Sequence, residues 1–251
     1  MSDRYTVFRE LHQSGCFVLP NPWDVGGAKR LQAKGFKALA STSAGVAWSL
    51  GRADGELTLE EVLGHLSALC AATDLPVNAD FEAGFADASE GVAKNIGRAL
   101  DTGVAGLSIE DRTGRGLYPT ELAVERIRAA RAAIDGAGSG ALLVGRTEGF
   151  LVGQTDLAAS IGRLKAYAEA GADVLYAPGV RELGDIAEIV RAVAPKPVNV
   201  LLSFTSASMP ELAAAGVRRV STGGSLAAAA WAGFEAAADR LLNEGRLPPR
   251  G

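Results

Sequence analysis

Val77-Asn-Ala-Asp-Phe-Glu82 and Gly106-Leu-Ser-Ile-Glu-Asp111 each begin apolar and end in carboxylate. On an extended strand Asp80 and Glu82 face one side, while Phe81 between them points into the opposite layer. Glu110 closes the next segment in the same way. Carboxylates that end neighbouring buried strands repel one another and lose hydration, so a cation must compensate them. A hard divalent cation is one candidate; pairing with Arg or Lys in an ordinary ion-pair network is the other.

Reading outward from these two segments, the same short apolar run recurs. Candidate strands lie at Cys16–Pro20, Ala38–Thr42, Pro76–Asp80, Gly106–Glu110, Leu142–Arg146, Val174–Ala177, Val198–Leu202 and Arg219–Gly223. Between them, Thr58–Ala72, Gly91–Thr102, Thr120–Ile134, Asp156–Ala170 and Glu182–Val193 carry helical periodicity. Gly35, Gly103, Gly171 and Gly216 each follow a helix and precede a strand, as suits a left-handed helix terminus. Strict β-α alternation implies parallel strands with right-handed crossovers, and eight strands fit a closed (β/α)8 TIM barrel. An open doubly wound sheet is the alternative.

In such a barrel chemistry gathers at the C-terminal ends of the strands. The polar residues obey that rule: Asn21 and Asp24, Thr42 and Ser43, Asp80 and Glu82, Glu110 and Asp111, Arg146 with Thr147 and Glu148, Asn199, and Ser221 with Thr222. Glu148 is near enough to pair with Arg146, although strand alternation could turn it outward.

The 251 residues are 48% hydrophobic with a net charge of -4, and no Pro/Ser-rich linker divides them. One barrel domain over 1–251 is expected. Scattered Lys and Arg give no footprint for nucleic acid or an anionic membrane surface. The first ten residues lack the apolar core of a signal peptide, and no stretch reaches the roughly 18 apolar residues of a spanning helix, so a cytoplasmic location is expected. Cys16 and Cys70 show no metal-ligand spacing and read as small buried hydrophobes. His12 and His65 lie on helical segments away from the strand ends and read as packing or surface residues.

Several segments together resemble the isocitrate lyase and phosphoenolpyruvate mutase superfamily, in its phosphonomutase-like and methylisocitrate-lyase-like branch. They are Asn21-Pro-Trp-Asp-Val, Ser41-Thr-Ser-Ala-Gly-Val-Ala, Leu50-Gly-Arg-Ala-Asp-Gly, Ala79-Asp-Phe-Glu-Ala-Gly-Phe, Ser108-Ile-Glu-Asp, Gly145-Arg-Thr-Glu-Gly-Phe and Val217-Arg-Arg-Val-Ser-Thr-Gly-Gly. The resemblance implies an enzyme that binds Mg²⁺, or Mn²⁺, with a 2-oxo acid or its enolate. Asp80 would be the principal metal ligand, with Glu82 and Glu110 holding metal-bound waters. Thr42, Ser43, Ala44 and Gly45 would form the turn that binds a substrate carboxylate; Asn199, inside a strand, would either add a donor to it or belong to an interior polar network. Asp54 would stand near the substrate carbonyl, and Arg146 would supply a planar cation. A homo-oligomer and a small carboxylate substrate are implied as well.

Two departures bear on the reaction. Lyases of the superfamily carry a Lys-Lys-Cys-Gly-His loop after the Glu-Asp motif, whereas this loop reads Asp111-Arg-Thr-Gly-Arg-Gly-Leu-Tyr-Pro, leaving Arg112, Arg115 and Tyr118 to replace it. Gly114 and Gly116 predict a lid there. Tyr176 occupies a place where many lyases have Glu. After helix Ser225–Glu244, only Gly245–Gly251 remains where relatives often exchange a further helix with a neighbour. The leading expectation is a Mg²⁺-dependent lyase or decarboxylase of a 2-oxo acid or 2-hydroxy di- or tricarboxylate. The alternatives are a P–C bond mutase or hydrolase of the phosphonopyruvate type and a non-catalytic 2-oxo acid binding barrel.

Overall fold

A computed structural model describes residues 3–114 and 116–247. Eight parallel strands form the barrel: β1 (Phe17–Leu19), β2 (Leu39–Ala40), β3 (Val77–Asp80), β4 (Gly106–Glu110), β5 (Leu142–Arg146), β6 (Val174–Tyr176), β7 (Val198–Leu201) and β8 (Arg219–Ser221). Their order around the sheet is β1-β8-β7-β6-β5-β4-β3-β2. Between β2 and β1 the ladder reduces to one backbone bond, Ala40 N to Pro20 O at 3.0 Å. The Asn21 side chain staples that seam. Its Nδ2 donates to Ser41 O at 2.7 Å, and its Oδ1 accepts from Thr222 N and Gly223 N, both at 3.0 Å.

Ten helices are described: α1 (Arg4–Leu11), α2 (Val25–Ala33), α3 (Ser43–Ser49), α4 (Leu59–Ala72), α5 (Ser89–Leu100), α6 (Thr120–Ala137), α7 (Leu157–Glu169), α8 (Leu183–Val193), α9 (Met209–Ala214) and α10 (Ser225–Glu244). Local sequence sets their limits. Thr58 and Glu61 close a reciprocal capping box on α4. The four recurrent glycines all adopt positive φ, from 88° at Gly35 and Gly103 to 109° at Gly171. A side chain there would be strained, so glycine fixes each helix-to-strand turn.

Alternation along the strands builds two layers. Leu107, Ile109, Leu143, Leu175 and Val220 point outward against Ile96, Ile127, Leu164 and Ile186 of the helices. Inward-facing Leu19, Ala40 and Leu142 fill the N-terminal end of the barrel, where Phe8 of α1 is fully buried as a plug. Gly106 is small because this plug needs the space: a Cβ there would lie 2.8 Å from Phe8 Cε1 and 3.1 Å from Leu142 O.

The segment after β4 is a two-stranded antiparallel ribbon, pairing Arg112 with Leu117 and Thr113 with Gly116. Arg115 at its tip lies outside the described residues. Helix α10 follows β8, but only Ala227 of it is buried. Trp231, Phe234, Leu241 and Leu242 are exposed, with the Trp231 and Phe234 rings in edge-to-face contact at 5.7 Å. No helix among the described residues is long and apolar enough to cross a membrane.

Gly106→Ala is expected to lower stability by about 1–3 kcal/mol through overpacking against Phe8. A reduced urea midpoint with an unchanged slope is the measurement that checks this.

Candidate active site

Two adjoining cavities open at the C-terminal mouth of the barrel. One, of about 400 Å³, runs inward past Thr42, Ser43, Asp80 and Tyr176 to Asn78, Asn199 and Arg219. The other, of about 560 Å³, is lined by Glu82, Glu110, Glu148, Arg112 and Tyr118. Ser43, Asp54, Arg146 and Leu151 border both.

Arg146, the last residue of β5, joins the acids. Its Nη1 lies 3.1 Å from Asp80 Oδ1 and 3.4 Å from Glu110 Oε2, and its Nε donates to Glu148 Oε1. Burial alone would push this guanidinium down, but Glu148, Glu110 and Asp80 outweigh that and hold it firmly protonated. Its plane also lies over the Tyr176 ring at 5.3 Å. With Nε and Nη1 committed, Arg146 acts here as a counter-ion to the acids at the mouth, and Nη2 is the nitrogen not engaged by them. Glu148 turns inward and is fully buried. It is held there by Asp111, which accepts from Glu148 N and Thr147 Oγ1 at 2.8 Å and from Tyr167 Oη at 2.6 Å. Arg163 Nη1 compensates Asp111 at 3.1 Å.

Asp80 Oδ2 accepts from Ser43 N at 3.0 Å and Ser43 Oγ at 2.9 Å, while Oδ1, with Arg146 Nη1 as its one donor among the described residues, keeps a free lone pair. The Ser43 hydroxyl also lies 3.1 Å from Asp54 Oδ1, on an exposed loop. The Thr42–Gly45 turn is the start of α3, where Thr42 Oγ1 accepts from Gly45 N at 3.2 Å. With Ser43 N bonded to Asp80 and Gly45 N to Thr42, the Thr42 and Ala44 amides of this turn have no partner among the described residues.

Asp80 and Glu82 do not share one face, because the strand stops at Asp80 and Glu82 adopts φ 46°. Alternation no longer applies past that point. The turn places Glu82 over the acidic cavity, with Glu82 O accepting from Glu110 N at 3.0 Å. Arg126, buried on α6, holds the segment through Ala83, Ala86 and Asp87 carbonyls and lies over the Tyr118 ring at 4.2 Å. Glu82 Oε1 is buried without a hydrogen-bond partner. Burial, then the charges of Asp80 and Asp54, lift its carboxyl from the ordinary value of 4.5 to about 7. Glu110 is raised as well, by burial and by Glu148, Asp80 and Glu82, against the opposing pull of Arg146. Arg112 is exposed at the rim.

Asn199 sits deeper than a substrate donor at the mouth would. Its Nδ2 donates to Ser221 Oγ at 2.9 Å and its Oδ1 accepts from Arg219 Nε at 2.8 Å. The sequence reading placed Asp111 at a strand end and Tyr176 where many lyases have Glu without giving either a contact, and it gave Arg219 no functional role. Inward alternation on β6 and β8 was the available signal for Tyr176 and Arg219. His12 is buried beside Phe8 and Phe17, and burial pushes it down to about 3, which keeps it neutral. Both cysteines are free thiols.

The architecture and its residues have known counterparts. A Burkholderia cenocepacia protein described only as a lyase/mutase superposes with a TM-score of 0.94 at 46% identity, covering 97% of this chain and 90% of its own. A 2,3-dimethylmalate lyase structure matches with a TM-score of 0.90 at 27% identity, over 100% of this chain and 91% of that one. The Escherichia coli 2-methylisocitrate lyase is 33% identical over 174 residues, 64% of this chain and 57% of that enzyme's length. The phosphoenolpyruvate phosphomutase family pattern spans residues 8–242. The chain therefore belongs to the phosphoenolpyruvate phosphomutase family, within the superfamily of lyases and mutases of small carboxylates that it shares with isocitrate lyase.

Proposed function

We propose that this enzyme is a Mg²⁺-dependent lyase or decarboxylase that acts on a small 2-oxo acid, or on a 2-hydroxy di- or tricarboxylate, through an enolate. The observation that carries the reading is the gathering of Asp80 and Glu110 on one guanidinium, with Glu82 lining the same cavity, across a shared rim from Ser43 and Asp54. Arg146 provides one positive charge against these acids and Glu148, and the raised carboxyls of Glu82 and Glu110 register that excess of acids over cations. The buried, unpartnered Glu82 Oε1 marks where it is felt most.

An all-oxygen donor set suits a hard cation. Among the described residues no three His, Cys, Asp or Glu side chains form a direct ligand cluster. This fits one direct ligand, Asp80, with Glu82 and Glu110 acting through water. A bound Mg²⁺, or Mn²⁺ in its place, would supply electrostatic stabilisation to the oxygen on which enolate charge develops. The Thr42–Gly45 turn would take the substrate carboxylate through Ala44 N, with Ser43 fixing Asp80. Asp54, hydrogen-bonded to Ser43, would handle a proton at the mouth. Arg112 would screen the departing fragment at the rim, where the loop has no Cys, His or Lys. Arg146 is assigned to hold the acids in place, with its Nη2 edge left for substrate.

Substrate that enters the inner cavity gives up part of its water, which strengthens each of these contacts. The exposed apolar stripe of Trp231, Phe234 and Leu241 on α10 supports a homo-oligomer in which a neighbouring copy covers that helix.

Pyruvate, oxaloacetate, 2-oxoglutarate, phosphonopyruvate and methylisocitrate can be screened by thermal shift with Mg²⁺ and then by turnover. Binding of a 2-oxo or 2-hydroxy acid with carbon–carbon cleavage is expected, and binding of every ligand without turnover would overturn the assignment. Asp80→Ala is expected to abolish metal-dependent turnover with folding intact; normal ligand binding in Mg²⁺ would refute the metal site. Glu82→Gln should weaken Mg²⁺ affinity by about 10–100-fold, read by titration calorimetry.

Because the folded state raises the Glu82 pKa, it binds more protons than the unfolded state between about 4.5 and about 7. Without metal, stability should therefore fall as pH rises through that window, and the stabilisation added by Mg²⁺ should grow. Melting temperatures with and without Mg²⁺ across the window test the sign. Replacement of Phe234 by Asp is expected to shift the protein to a smaller species in sedimentation, with the barrel still folded.

A further inference from the structure

The deep end of the inner cavity holds a charge that no carboxylate among the described residues neutralises. Arg219 is 2% exposed, and no carboxylate among the described residues lies within ion-pair distance of it. Its contacts are neutral: Nε donates to Asn199 Oδ1 at 2.8 Å and Nη1 to Asn78 Oδ1 at 3.3 Å. Nη2 has no partner among the described residues. The acids near the barrel mouth pair elsewhere, Asp80 with Arg146 and Ser43, and Glu110 and Glu148 with Arg146, and none of them forms an ion pair with Arg219.

Burying a cation without a counter-charge is costly, and an arginine cannot escape by losing its proton near neutral pH. Burial pushes Arg219 only to about 10, so it remains charged. The neighbouring His12, pushed down to about 3, adds no second charge. The two asparagines orient their oxygens toward the guanidinium, while Ser108 and Ser221 line the same space with hydroxyls. The 400 Å³ cavity connects this floor to the mouth.

We propose that the floor of the inner cavity, formed by Arg219 with Asn78, Asn199 and Ser221, is a binding site for a small monovalent anion. Two sources have that chemistry: an inorganic halide resident in the barrel, and the distal carboxylate of a substrate whose reacting end lies at the mouth. The second source rests on the function proposed above; the first does not. In either case the site neutralises the barrel interior. If substrate supplies the anion, the site also selects dicarboxylates over monocarboxylates by the length that spans floor and mouth.

Crystals of the wild-type protein grown in bromide are expected to show an anomalous peak against Arg219 Nη2. Chloride, at ionic strength held constant with gluconate, is expected to raise the melting temperature of wild type but not of Arg219→Met. Bromide at surface sites only, an adventitious ion, together with a melting temperature indifferent to chloride and an unchanged dicarboxylate preference in Arg219→Met, would overturn the site. The bromide experiment stands even if that variant fails to fold. Chloride that competes with 2-oxoglutarate but not with pyruvate assigns the floor to the distal carboxylate. Arg219→Met should then lose the preference for 2-oxoglutarate by at least about tenfold. A bromide peak without such competition assigns a resident halide, and leaves the reaction proposed at the mouth untouched.

Discussion

One guanidinium holds the mouth of this barrel together. Arg146 gathers Asp80 from β3, Glu110 from β4 and Glu148 from the loop after β5. Without it, those acids would stand unshielded at the ends of parallel strands, where burial removes the water that would otherwise solvate them. The fold supplies the arrangement: β3, β4 and β5 are adjacent in the sheet, with Glu110 in register with Arg146. The same arrangement leaves the group acidic overall, so structural pairing and cation binding are complementary uses of one cluster.

Around that contact, support comes from behind. Asp111, Tyr167 and Arg163 fix the backbone at Thr147 and Glu148, and Arg126 fixes the turn that carries Glu82. Glu82 keeps a left-handed backbone without the freedom of glycine. Such conformations cost about 1–3 kcal/mol and persist where surrounding contacts over-determine them. Here the Arg126 bonds to three carbonyls of the turn serve that purpose.

The barrel was legible in the sequence because its signals are local and repeated. Eight apolar runs became eight parallel strands within one or two residues, and the four helix-terminal glycines all took positive φ. The positions of Asp80, Glu110 and Arg146 were legible too, since each ends a strand and strand order follows chain order. The side of Glu82 was not, because a strand's alternation says nothing once the strand has ended. The pairing of Glu148 with Arg146 depends on Asp111, 37 residues away in sequence. Arg219 escaped notice for a similar reason: Asn199 faces it from the adjacent strand β7, but Asn78 reaches it from β3 across the barrel interior. Helix α10 reads as an ordinary barrel helix, yet its apolar stripe finds no surface on its own barrel.

The seam between β1 and β2 carries a separate implication. Elsewhere the barrel wall is a continuous ladder, but here Ala40 N and the Asn21 amide carry the connection. A ring with one thin joint does not deform evenly; it breathes at the joint. Amide exchange should be fastest along that line, and the residues that follow β2 are Thr42 and Ser43. The carboxylate turn thus follows the most thinly joined edge of the wall, and because Ser43 ties it to Asp80, turn and acid would move together relative to β1.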